Sequence, residues 1–204
     1  MQILPNMRKR IFIIICLVFT AYCLYAQVLY DSLTSFNKIE TFKLVAVNQQ
    51  KNTFIHLNDK SLSLFIFLSP ECPLCQNYTK IINQLQEQFK TQVAIYGIVP
   101  GNAYTSKELL TFSDKYLTTF NILIDTKQLL TRYLNATVTP QAILLDSKGN
   151  LIYTGAIDDW AQGQGKKKIN ASQHYIKDAI QQSLQSADVT IKKTTAYGCK
   201  INDF

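Results

Sequence analysis

The apolar positions of this chain change period along its length, and the changes separate strands from helices. Residues 41–48 alternate, and residues 52–57 resume after a polar turn, which predicts a β-hairpin. Residues 63–68 form a near-continuous apolar run, the pattern of a strand covered on both faces. Past Ser69, Pro70 and Glu71 the period becomes helical. Leu74, Tyr78, Ile81, Ile82, Leu85 and Phe89 share one face of a helix that runs to about Lys90. Residues 93–99 give a second buried strand, closed by Pro100 and Gly101. Thr105 and Ser106, with Glu108 following, mark the start of a helix that runs to Tyr116. A short strand at 120–124 and a short helix at 127–134 come next. Strands at 141–145 and 151–154 flank a Gly-containing loop and predict a second hairpin. Residues 158–170 read as a polar loop and 174–184 as a last helix, before a tail with a strand-like stretch at 189–195. Parallel βαβ units followed by an antiparallel hairpin predict an α/β domain with a mixed central sheet flanked by helices.

Composition agrees with one folded domain. Of 204 residues, 47% are hydrophobic and 17% charged, which excludes disorder over most of the length. No run reaches ~18 apolar residues, which excludes a multi-span membrane protein. The formal charge of +7 is unevenly placed. Arg8, Lys9 and Arg10 precede the apolar stretch 11–24, and Ala26 puts a small residue before Gln27. That is the layout of an export signal. An uncleaved membrane anchor competes with it, as does a lipoprotein signal at Cys23, where Tyr22 is bulky for the preceding position. All three put the domain outside the cytoplasm, in the periplasm or beyond, where disulfides persist. Without residues 1–26 the balance is 18 basic to 14 acidic residues, so much of the basic character belongs to targeting. Lys166, Lys167 and Lys168 form the one later basic run and read as a solvated loop, with no nucleic-acid partner implied.

Cys16 and Cys23 fall in the export segment, which leaves Cys72, Cys75 and Cys199. Cys72-Pro73-Leu74-Cys75 follows a buried strand and opens a helix. Unpaired N–H groups and the partial positive charge there stabilise a thiolate at Cys72. Cys75, one turn further in and more buried, is placed to resolve a mixed disulfide. Pro73 suits a first helical position, which has no N–H partner to lose. Half a zinc site is the other reading of C-x-x-C, but a second ligand pair at zinc spacing is missing. Thr139-Pro140 stands just before a predicted strand and on its own is only a turn signal.

Together these motifs resemble the thioredoxin fold over about residues 41–186. The order is strand, Cys72-Pro73-Leu74-Cys75 on a helix, strand, helix, Thr139-Pro140, hairpin, helix. The predicted architecture is therefore thioredoxin-like, with the first hairpin as an N-terminal extension and residues 187–204 as a short tail. The resemblance implies that Pro140 is cis and faces the C-x-x-C, and that the Thr139 backbone pairs with a bound substrate strand. The sequence is similar more closely to exported bacterial redoxin-domain proteins of the alkyl hydroperoxide reductase and thiol–disulfide interchange type. Residues 153–159, Gly165 to Lys168, His174 and Tyr197-Gly198-Cys199 carry that likeness. Three positions depart from relatives in the wider fold. Ile66 stands where many have a buried Asp, Tyr78 where some have a Glu, and Glu71 where a Trp is usual. Glu71 would oppose a thiolate at Cys72.

The expected organisation is an export signal or anchor at 1–26, a lead at 27–40, the domain at 41–186 and a tail at 187–204 carrying Cys199. The expected function is extracytoplasmic thiol–disulfide exchange. Cys72 and Cys75 are catalytic, Thr139 and Pro140 shape the substrate groove, and no cofactor is needed. Protein thiols and disulfides are the substrates, and a redox protein is the partner. Cys199 stands open between a buried free thiol, a third redox thiol and a metal ligand with Cys72, Cys75 and His174. That last set supports the alternative of a copper-binding chaperone, although such proteins usually have one more residue between the cysteines. A thiol peroxidase is the other alternative, with Ser69 three residues before Cys72 and Arg132 as the one mature-chain arginine. His174 otherwise reads as an exposed or capping residue, and Asp158-Asp159-Trp160 as a loop of solvated acids.

Overall fold

Strand β3 (Leu62–Phe67) is buried at all six positions and forms the centre of the molecule. Its side chains alternate between two cores, as the pleat requires. Leu62, Leu64 and Ile66 enter one, and Phe65 and Phe67 enter the other. The computed structural model describes residues 13, 15–26, 39–48, 51–163 and 165–202. Around β3 lies a seven-stranded mixed sheet, order β2-β1-β5-β4-β3-β7-β8. The other strands are β1 (Leu44–Ala46), β2 (Lys51–Thr53), β4 (Val93–Pro100), β5 (Asn121–Asp125), β7 (Gln141–Asp146) and β8 (Leu151–Gly155). β3, β4 and β5 run parallel, and β7 and β8 form the antiparallel hairpin. The first hairpin adds to the sheet by antiparallel pairing of β1 with β5.

Helices α1 (Pro73–Phe89), α2 (Ser106–Tyr116) and α4 (Tyr175–Leu184) bury their apolar stripes in the first core. The short α3 (Leu129–Tyr133) contributes Leu130 to the second. The predicted start of α2 is met by a full capping box between Thr105 and Glu108. α3 is shorter than the predicted 127–134. The buried Asp125 carboxylate accepts the N–H groups of Leu129 at 3.0 Å and Thr131 at 2.7 Å, fixing its first turn, while Gln128 takes a left-handed φ of 52°.

Four expectations change. Ile39 of the lead is fully buried in the second core, so the packed domain begins before residue 41. The polar loop at 158–170 contains two short paired strands, β9 (Ala161–Gly163) and β10 (Lys166–Lys167). The first hairpin is shorter than the alternating stretches suggested, and a 3-10 turn takes Leu57–Asp59. The strand expected at 189–195 reduces to one bridge, Thr154 to Lys193. The bridge carries two backbone bonds, and just past it the Thr194 hydroxyl accepts the Ala156 N–H at 2.9 Å and meets the Tyr153 hydroxyl at 2.6 Å, so a side chain takes over where the ladder ends. The tail nonetheless packs, with Val189 in the first core. Residues 15–26 are helical with exposed apolar side chains, including Leu17, Phe19 and Tyr22. Most of the basic start and of the 27–40 lead lies outside the described residues. No described helix is long and apolar enough to cross a membrane.

Candidate active site

β3 ends at Phe67, and the chain turns through Ser69 and Pro70 into α1. Cys72 is the N-cap of that helix and Pro73 its first residue. The turn is fixed by the Cys72 N–H donating to the Ser69 carbonyl at 3.1 Å and by Gln76 Nε2 donating to the Pro70 carbonyl at 2.8 Å. Cys75 lies within the first turn of α1, almost fully buried, and its sulfur accepts the Ser69 N–H at 3.4 Å.

Opposite stands β6 (Val138–Thr139), followed by Pro140 across a cis peptide bond. When protonated, the Cys72 thiol donates to the Thr139 carbonyl at 3.1 Å. Gln141 shapes this turn, because its side-chain oxygen accepts the Thr137 N–H at 2.9 Å and the Val138 N–H at 3.4 Å. A further segment closes over the site. β11 (Cys199–Lys200) pairs antiparallel with β6, setting Cys199 opposite Thr139 and Lys200 opposite Val138. The Ile201 N–H extends the pairing to the Thr137 carbonyl at 2.9 Å. The backbone edge that the resemblance reserves for a substrate strand is thus held by the chain's own tail. Cys72 beneath it is only 2% exposed.

The three sulfurs differ sharply in acidity. The Cys72 thiol is pulled down from the ordinary thiol range to about 4, first by the donating Cys75 thiol. Burial opposes this, and the Cys199 thiol and the N–H groups of Cys75 and Cys199 reinforce it. Burial, and then the neighbouring Cys72 sulfur, push the Cys75 thiol well up. Burial and the bond to Cys72 raise Cys199 to about 11. Cys72 is thus the sulfur that ionises most readily, beside two thiols that hold their protons. Glu71, which the sequence set against the thiolate, instead accepts the Tyr104 hydroxyl at 3.3 Å. Tyr104 also meets the Ser69 hydroxyl at 3.0 Å and helps to line a cavity of about 110 Å³ beside Thr139 and Cys199.

Other sequence candidates separate from this cluster. His174 is the N-cap of α4 without a side-chain cap bond, and it borders a cavity with Gln84, Gln88 and Lys177 near the far end of α1. Among the described residues no group of three or more His, Cys, Asp or Glu could hold a metal ion, so the Cys72, Cys75, His174, Cys199 set is not assembled. Arg132 is exposed and donates to the Lys127 carbonyl at 2.6 Å, and the Ser69 hydroxyl is engaged by Tyr104. Asp158 is not solvated as expected. It is buried and accepts the Tyr78 hydroxyl at 2.6 Å and the Trp160 N–H at 2.9 Å. Tyr78 lies one turn beyond Cys75 and shares the buried cluster that holds Cys72 and Cys75. Asp159 is paired with Lys168, so that lysine is not free either.

Sequence reasoning missed Tyr104, Gln141 and Gly198. Gly198 alone had a usable signal, a glycine directly before a tail cysteine, where close backbone approach needs a missing Cβ. A Cβ there would lie 2.0 Å from the Thr139 carbonyl oxygen.

Comparison with known proteins agrees with the fold. A model of the AhpC/TSA family matches residues 36–154, a span that holds Cys72, Cys75, Thr139 and Pro140 but not Cys199. An uncharacterized conserved protein from Geobacillus kaustophilus is similar at 19% identity and TM-score 0.71, covering 80% of this chain and 88% of that one. A hypothetical protein from Sinorhizobium meliloti is similar at 22% identity and TM-score 0.69, covering 78% and 89%. A thioredoxin-like protein from Aeropyrum pernix shares the fold at 16% identity and TM-score 0.52, covering 68% and 90%. No curated protein matches.

Proposed function

The chain belongs to the AhpC/TSA family, and on that premise we propose that it is an exported thiol–disulfide oxidoreductase working through Cys72 and Cys75. The opposed acidity of two sulfurs within the first turn of α1 carries this reading. The Cys72 thiolate attacks one sulfur of a polypeptide disulfide. That S–S bond breaks, and the departing sulfur leaves as a thiolate and takes up a proton. Cys75 then loses its proton and attacks the Cys72 sulfur, releasing the second substrate thiol and forming the Cys72–Cys75 disulfide. Two electrons pass from the pair to the substrate, and a partner dithiol protein returns them. The Ser69 N–H directed at the Cys75 sulfur stabilises the charge that develops there. No bound cofactor takes part. Thr139 and Pro140 form the wall against which an extended polypeptide lies. The basic start, the apolar run 11–24 and the exposed helix at 15–26 support export, by a cleaved signal or with a retained anchor.

Turnover of insulin disulfides, with a dithiol reductant as electron donor, tests the reading. Cys72→Ser is expected to lose at least about 100-fold in rate, the scale of removing a nucleophile. Unchanged turnover in a folded Cys72→Ser protein would overturn it. Peroxide consumption in the same assay addresses the peroxidase alternative, and stoichiometric Cu(I) retention after desalting addresses the chaperone.

A further inference from the structure

The tail is built into the site rather than resting near it. Its first half is clamped onto β8, where the Thr194 N–H donates to the Thr154 carbonyl and the Thr154 N–H donates to the Lys192 carbonyl, each at 3.1 Å. Gln128 holds the far end, its side-chain nitrogen donating to the Asn202 carbonyl at 3.3 Å. Between these anchors, Gly198–Ile201 runs along Val138 and Thr139 as an added antiparallel strand. Gly198 lies so close to the Thr139 carbonyl that a Cβ has no room. The strand register puts Cys199 opposite Thr139, the residue whose carbonyl receives the Cys72 thiol. In keeping with that register, the Cys199 thiol and N–H favour the Cys72 thiolate. An extended backbone on a free strand edge, with a cysteine facing the nucleophile, is how a polypeptide substrate would sit.

We propose that residues 198–201 are a tethered polypeptide occupant of the substrate groove, and that Cys199 is a third exchange thiol that forms a disulfide with Cys72. The proposal rests on the exchange chemistry assigned above. When the Cys72 thiolate has opened an incoming disulfide, the mixed disulfide on Cys72 is attacked by Cys199 after loss of its proton. A Cys72–Cys199 bond forms, and the substrate's second sulfur leaves as a thiol. Oxidation of two protein thiols balances reduction of one substrate disulfide. The tail also prescribes what the groove accepts. The preferred substrate is an extended chain antiparallel to β6 with a glycine immediately before its reactive cysteine, and it must displace the tail to bind.

The test uses the reduced full-length Cys75→Ser protein treated with oxidised glutathione, then acid quench, alkylation, trypsin digestion and mass spectrometry. The expected product is peptide 61–80 joined to peptide 194–200 within one chain, with two glutathione thiols released per chain. Adding Gly198→Ala keeps every thiol but expels the tail, and should lower the yield of that cross-link at least tenfold. Three results overturn the proposal: Cys72 left as a stable glutathione adduct with Cys199 alkylatable, a Cys72–Cys199 link only between chains, or a cross-link indifferent to Gly198→Ala. A Cys199→Ser protein separates this failure from failure of the parent reading, because its Cys72–Cys75 disulfide forms under the same glutathione whatever the tail does.

Discussion

Two regions bring a sulfur to Cys72, and they do so by opposite means. The start of α1 delivers Cys75 locally: three residues of helix fix the spacing, and Pro73 and the Ser69 turn fix the entry. The tail delivers Cys199 from more than a hundred residues away, through a clamp at Thr194, a two-residue ladder on β6 and a glycine that allows the approach. The local thiol is buried among core side chains, while Cys199 is exposed. Proximity set by one helical turn persists as long as the helix does. Proximity set by a short edge strand can open without unfolding the core. The first arrangement suits a permanent redox pair and the second a partner that gives way to substrate.

The largest test of this contrast compares serine substitutions. Cys72→Ser removes the sulfur both regions converge on and is expected to abolish exchange with either. Cys199→Ser leaves the Cys72–Cys75 disulfide able to form, read by mass after oxidation. If the helix pair failed to close without Cys199, the two regions would not be separable.

Next comes pH. Thiolate absorbance near 240 nm in the reduced protein should show a first transition near 4, from Cys72, and a late one near 11, from Cys199. Cys199→Ala should move the first upward, because it removes a donor to the thiolate. The signs for stability are opposite. Cys72 is depressed below the ordinary ~8.5, so its contribution is full above that value and is lost as pH falls toward 4. Cys199 is raised, so its contribution is full below ~8.5 and is lost as pH rises through 11. A first transition near 8 would remove the basis for treating Cys72 as the nucleophile.

Displacing the tail alone gives a smaller effect. In Gly198→Ala the Cys72 thiol should be alkylated by iodoacetamide about tenfold faster, as expected where local opening becomes about 1.4 kcal/mol cheaper. Melting temperature should move little, since no core side chain changes. An unchanged alkylation rate would mean that the tail does not cover Cys72 in solution.

The last change falls on the shared wall. Gln141→Ala removes the acceptor for two backbone N–H groups beside Thr139, at an expected cost of about 1–3 kcal/mol in denaturant unfolding. It should impair turnover through Cys75 and cross-linking through Cys199 alike. An effect on only one would show that the two regions do not share this wall.

The same contrast explains what the sequence disclosed. The apolar run ending in Leu68 and the helical spacing after Cys75 are short-range patterns, and they led directly to β3, to α1 and to the placing of Cys72 and Cys75 at its start. The capping box of α2 was legible for the same reason. The position of Cys199 was not: Gly198 beside it signals a close backbone approach, but the strand it approaches, β6, is distant in sequence and no local pattern names it. Its β-favouring neighbours at 189–195 suggested a strand, yet the pairing there stops at one bridge and the Thr194 hydroxyl takes the next N–H. Asp158 misled in a similar way. Two adjacent acids look solvated until a distant Tyr78 supplies the donor that lets one of them be buried.

The most direct measurement of the central claim is a glutathione redox titration of full-length Cys199→Ser protein, with alkylation of Cys72 and Cys75 followed by mass. The account predicts that both cysteines lose alkylation together in a single two-electron transition as Cys72–Cys75 closes. Separate transitions, or a Cys72 that ends as a glutathione adduct beside a free Cys75, would contradict it.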